Sequence, residues 1–203
     1  MSRIQSNAVF DALYIGTHLQ IKLNDFSNYE LQIFTYLSCL LSLYDGEPVS
    51  FWGYTFIKND LGSPFSKEIN DAIEALIAKG SIIKSDGSFL SVTANGQNEL
   101  RLYSSFRSNI SRIKYLQAAC ESMNLISYGE VKDSISQEPI LQSAGKQSQR
   151  RLLIDDDSPA FSVLYEQFEM LRTALENQFH NLVIPAIVWL KYLGNKNKVT
   201  KAA

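Results

Sequence analysis

Imidazole and thiol groups, which serve both nucleophilic catalysis and metal binding, are scarce here: the chain has only His18 and His180, Cys39 and Cys120. A structural zinc site needs several such ligands at short spacing, and the two cysteines form no CxxC pair. No nucleophile-elbow sequence accompanies them, and each histidine falls in an amphipathic pattern where a helix-surface or half-buried imidazole is expected. Neither a GxxxxGK[ST] loop nor a strand-GxGxxG-helix arrangement occurs to cradle phosphates. Adjacent carboxylates at Asp155-Asp156-Asp157 could concentrate charge for a divalent cation. They could equally complement the N-terminus of the helix that follows, and that reading is preferred. Glu166 and Glu169 belong to the polar face of the same helix. The expectation is a protein without catalytic residues, cofactor or metal.

Basic residues offer a different kind of chemistry, phosphate recognition. The overall charge of −2 is unevenly spread. Residues 25–101 hold five basic and ten acidic residues, whereas residues 102–151 hold seven basic and four acidic. Lys58, Lys67, Lys79 and Lys84 are thus outnumbered in their own segment, which argues against DNA binding there, because such affinity depends on neutralising phosphates. A more credible nucleic-acid contact combines Arg107, Arg112 and Lys114 with Lys146, Arg150 and Arg151. A solvated helix face plus a charged loop explains the same residues. Large rings form a second cluster, with Phe51, Trp52, Tyr54, Phe56 and Phe65 inside fifteen residues. Most must be core, and one or two of Trp52, Tyr54, Phe56 and Phe65 are expected at a protein interface, where aromatic anchors are common.

The elements that must position these groups follow from apolar spacing. Leu31, Phe34, Leu37, Leu41 and Tyr44 share one face of a helix over 29–44, which Asp45-Gly46 ends. A short helix is expected from Pro48. A third runs over 66–79, capped by Ser66 and stopped by Gly80. Ile82-Ile83, Ser85-Asp86-Gly87 and Phe89-Leu90-Ser91-Val92 then spell a β-hairpin. Helix, helix, helix, hairpin is the layout of a winged helix. From Thr93, the stripe Leu100, Tyr103, Phe106, Ile110, Ile113 and Leu116 predicts one long helix toward Cys120. Residues 136–157 have the composition of a polar linker. Ser158-Pro159 opens a further helix, and a last one, begun or kinked by Pro185, ends near Gly194 and gives way to a lysine-bearing tail, Asn195-Lys196-Asn197-Lys198.

The expected fold is therefore mainly α with a small β-hairpin: a winged-helix-like module followed by a long helix and a C-terminal helical region. The divisions are an N-terminal segment (1–24), the module (25–105), the long-helix continuation with a short helix (106–135), the linker (136–157) and the C-terminal region with its basic tail (158–203). The apolar share of 45% supplies a sizeable core. No secretory signature follows Met1, and the longest apolar run, 182–190, is too short to cross a bilayer. A reducing cytoplasmic setting is expected.

Gly53-Tyr54-Thr55-Phe56, Leu61-Gly62-Ser63-Pro64-Phe65-Ser66 and the helix ending Ala78-Lys79-Gly80-Ser81-Ile82-Ile83 resemble the winged-helix middle components of bacterial ABC-three-component systems, including Lamassu-type defence. The resemblance covers roughly residues 27–105. It implies a non-enzymatic scaffold that joins an SMC-like ABC ATPase to a nuclease-type effector in anti-phage or anti-plasmid operons, any DNA contact being made through the complex. A similar G-x-P-[FY]-S pattern occurs in other small bacterial winged-helix families. The alternative is accordingly a DNA-binding regulator or antitoxin using Lys67, Lys79 and Lys84.

Overall fold

The structure, a computed structural model, describes residues 4–144, 152–154, 158–175 and 181–202. It is mainly helical, with two small antiparallel strand pairs among the described residues.

The first helix, α1 (Ser6–Leu23), lies in what the sequence pattern left as an N-terminal segment. Ala8, Phe10, Ala12, Leu13, Ile15 and Leu19 are fully buried, pointing in all directions from the helix axis. A helix apolar all round belongs in the middle of a structure and shows no stripe to detect. It packs against the second, third, fourth and fifth helices and the last strand. Its approach to Phe26 requires glycine at position 16, where a Cβ would stand 2.7 Å from the ring.

Helix α2 (Asn28–Tyr44) opens with a reciprocal capping box: Ser27 N–H donates to Glu30 Oε2 (2.6 Å), and Glu30 N–H donates to Ser27 Oγ (3.2 Å). Every residue from Leu31 to Tyr44 is buried. Its hydroxyls survive there by donating to carbonyls of their own helix, Thr35 to Leu31 (2.6 Å) and Ser38 to Phe34 (2.7 Å). Between α1 and α2, Phe26 exchanges both backbone hydrogen bonds with Leu90 (3.1 and 2.7 Å), tying the connection to the hairpin.

The helix expected from Pro48 is only a 3-10 turn, Val49–Phe51. A short ribbon follows, β1 (Ile57–Lys58) against β2 (Pro64–Phe65). The third helix, α3 (Lys67–Ala78), is capped by Ser66 as expected. The hairpin β3 (Ile82–Lys84) and β4 (Leu90–Val92) pairs Ile82 with Val92 and Lys84 with Leu90. The three helices before the hairpin are therefore α1, α2 and α3, and the expected boundary at residue 24 falls inside one packed unit.

The single long helix is instead two, α4 (Ala94–Ser104) and α5 (Arg107–Ser122). Phe106 is extended (φ −76°, ψ 131°). Side chains stabilise the break: Ser104 donates to the Leu100 carbonyl (2.8 Å), Ser105 to Leu102 (2.7 Å) and Asn109 Nδ2 to Tyr103 (2.9 Å). At the start of α4, a Cβ on Gly96 would lie 2.3 Å from the Ser81 carbonyl, so only glycine permits this seat against the hairpin.

Within the linker expected over 136–157, the described residues carry regular structure. Helix α6 (Tyr128–Ile135) leads to α7 (Pro139–Ala144), and Leu153 N–H donates to the Phe56 carbonyl (2.8 Å), extending the β1–β2 ribbon. Helix α8 (Pro159–Ala174) forms where expected, whereas α9 (Val183–Ala202) runs past the expected end near Gly194 and through the lysine-bearing segment. Pro185 sits in the first turn of α9, where a missing N–H costs nothing. Helix α9 packs on α5, α6 and α8, so one continuous core runs through the described residues. None of their helices is long and apolar enough to cross a membrane.

Candidate partner-binding surface

The structure turns several of the expected surface residues inward. Trp52, Tyr54 and Phe56 are buried, Tyr54 being the most accessible at 7%. Their rings stack into the core, Trp52–Tyr54 at 6.0 Å, Tyr54–Phe56 at 5.6 Å and Phe56–Tyr36 at 5.2 Å between centroids. They are not available as interface anchors. Phe65, on β2, is half-buried.

Arg112, expected to contact nucleic acid, is 2% exposed and explains why those rings are inside. Its Nε donates to Asp11 Oδ1 (3.0 Å), its Nη2 to Asp11 Oδ2 and its Nη1 to the Trp52 carbonyl (3.0 Å). The guanidinium carbon sits 4.0 Å from the centroid of a Trp52 ring, and Tyr54 Oη donates to Asp11 Oδ2 (2.6 Å). Burial disfavours the charged guanidinium, yet the Asp11 carboxylate beside it outweighs that and holds its pKa above the ordinary value. The Tyr54 hydroxyl is pushed well up by burial and by Asp11. A paired, hydrogen-bonded charge of this kind joins α1, the aromatic segment and α5, and it is a structural bolt.

The other expected nucleic-acid contacts are scattered. Lys114 is bound to Asp45 (2.6 Å), which also accepts from Tyr115 Oη (2.9 Å). Lys146, Arg150 and Arg151 lie outside the described residues. Arg107 is exposed at the start of α5 and has no ion-pair partner among the described residues. On α3, Lys67 is held by Asp71 (2.5 Å), while Lys84 on β3 reaches Glu74 (3.7 Å).

Groups suited to catalysis are otherwise engaged. His18 stacks on Tyr14 at 4.3 Å and its Nδ1 bonds the Tyr14 carbonyl at 2.8 Å. Cys39 and Cys120 are buried and unbridged, and burial pushes both thiols up, away from the reactive thiolate. Glu169 pairs with Arg172, whose other nitrogen bonds the Tyr44 carbonyl. His180 and Asp155–Asp157 lie outside the described residues, among which no group of three or more His, Cys, Asp or Glu could hold a metal ion. Glu138 is fully buried and caps α7: it accepts from Tyr36 Oη (2.8 Å) and from the backbone of Ile140 (2.9 Å) and Leu141. Burial, partly offset by these donors, raises its pKa to about 7.

Other apolar residues reach the surface in their place. The break at Ser105 swings Phe106 and Ile110 outward, to 45% and 56% exposure, beside Leu102 at 58%. Phe106 and Tyr103 pack at 5.8 Å and form one wall of a groove of about 290 Å³. Ile4, Ser6 and Val9 at the start of α1, Ala75 and Leu76 of α3 with Lys79 just past its end, and Asn109 of α5 complete its described lining. Spacing alone missed this surface, because a stripe read as continuous cannot show a turn in its middle. The available signal was Ser104-Ser105, a pair that competes for helix carbonyls.

Protein-family models, curated proteins and solved structures were compared with the chain, and none matches.

Proposed function

We propose that the chain is a non-catalytic docking subunit of a bacterial ABC-three-component, Lamassu-type defence assembly. In this reading the unit formed by α1, α2, α3 and the hairpin acts as a winged helix that binds protein, bridging an SMC-like ABC ATPase and a nuclease-type effector. The order of elements supports the module, with Phe26 as the short strand between the first two helices. The observation that carries the docking role is the apolar groove walled by Tyr103 and Phe106, with Phe106 and the following turn's Ile110 solvent-exposed. Contiguous exposed apolar side chains mark interaction surfaces.

A DNA-binding regulator would use the same layout, but Lys67 and Lys84 are engaged by Asp71 and Glu74, and the excess of acids repels phosphate. For a protein partner that excess carries no penalty and matches a basic surface. The test is affinity purification of this chain expressed from its native operon. Coelution with a coiled-coil ATPase and an effector encoded beside it is expected. Elution alone overturns the reading. A salt-sensitive shift of duplex DNA at about 50 mM salt, lost when Lys67, Lys79 and Lys84 are changed to Glu, would favour the regulator instead.

A further inference from the structure

We infer that the groove between the start of α1, the end of α3 and the α4–α5 corner receives an amphipathic helix of a partner subunit, carrying acidic residues beside its apolar face. The inference rests on the docking role proposed above and specifies its site. Three observations carry it.

First, the groove is mostly apolar: Ile4, Val9, Ala75, Leu76, Tyr103 and Phe106 line it, with Ser6, Lys79 and Asn109 as the more polar residues of its described lining. At about 290 Å³ it sits at the lower edge of the range typical of small-molecule pockets, ~300–1,000 Å³. Ile110 follows one turn beyond Phe106 on α5 and is more than half exposed. An apolar hollow with an exposed apolar residue four positions beyond its wall suits a ligand with apolar side chains at helical spacing, the helix-in-groove mode of recognition.

Secondly, the charge at this site is opposite to that of the segment around it. Among the described residues Lys79 is the only charged one lining the groove, and Arg107 follows Phe106 directly in the chain. Carboxylates that could answer them are committed elsewhere. Asp71 is bound to Lys67, Glu74 faces Lys84, and Asp11 is sealed in the bolt with Arg112.

Thirdly, α5 begins at Phe106 without a side-chain cap, so the first-turn N–H groups beside the groove add to the positive potential. Acidic residues flanking an apolar stripe complement all three features, and a basic partner helix would be repelled by Lys79 and Arg107.

The test places a photoreactive residue in the full chain, Phe106→p-benzoylphenylalanine, and coexpresses it with its operon neighbours. The same residue at the exposed Leu61 is the control. Irradiation is expected to join position 106, and not position 61, to a peptide of a neighbouring subunit with apolar residues three and four apart and flanking Asp or Glu. Lys79→Glu with Arg107→Glu should weaken assembly at least tenfold without lowering the melting temperature, and Lys79→Arg with Arg107→Lys should retain it. If the assembly forms but position 106 joins nothing, joins its own chain or joins a basic segment, this inference falls and the docking role stands. If no assembly forms, both fall.

Discussion

Two regions of this molecule are built from the same materials and end on opposite sides of the surface. The bolt joins Arg112 to Trp52, Tyr54 and Asp11 in the interior, whereas the corner sets Arg107 and Lys79 beside Phe106 and Tyr103 in the open. What separates them is the counter-charge. Asp11 arrives from α1 with two carboxylate oxygens, so a guanidinium can be buried together with the rings it stacks on. No carboxylate reaches Lys79 among the described residues, and the rings there stay at the solvent. An aromatic-basic cluster thus reveals its fate only through the third partner, which spacing does not show.

The comparison can be broken most forcefully at the bolt. Arg112→Ala leaves Asp11 charged and buried, and a loss of about 3–5 kcal/mol in unfolding free energy is expected by denaturant titration. Asp11→Leu combined with Arg112→Met should cost less than the two single changes added together, because neither charge is then stranded. Additive costs would show that the two residues do not act as a pair.

Next in size is Glu138. Its carboxyl has a pKa of about 7 when folded against 4.5 when unfolded, so the folded state binds more protons between these values. The contribution is fully present below pH 4.5 and is lost as pH rises to about 7. Stability should fall across that window by up to about 3 kcal/mol, and Glu138→Gln should remove the slope. A slope that persists in the variant assigns it to another group.

Gly96→Ala tests the seat of α4 on the hairpin. The Ser81 carbonyl is backbone and yields little, so a loss of about 1–3 kcal/mol is expected by thermal unfolding. The smallest effect belongs to the corner. Phe106→Gln should change stability by no more than about 0.5 kcal/mol, as is usual at exposed positions. A large loss would mean that Phe106 holds the fold together and is not free for a partner.

Much of the architecture was legible in the sequence because it rests on local rules. Ser66 capping α3, the Ile82–Val92 hairpin, and Ser158-Pro159 before α8 each announce themselves within a few residues. Helix α1 was not legible, since a helix buried on every side carries no periodic contrast. The break at Ser105 was hidden because Leu100, Phe106, Ile110 and Leu116 keep helical spacing on both sides of it. The groove combines residues from both omissions, and so it could not be found before the fold was known. Trp52, Tyr54 and Arg112 were singled out by type, but only Asp11, remote in sequence, decides that they belong inside.

The central place of α1 has a consequence for synthesis. Its neighbours follow it in the chain one after another: α2 and α3 come next, the hairpin closes on it after residue 92, and Arg112 follows later still. Throughout that interval the nascent chain presents an apolar helix with an unneutralised Asp11, so productive folding waits for α5. A fragment ending before Arg112 is expected to be bound by chaperones or degraded, and translational pausing after α5 would favour capture of a completed core.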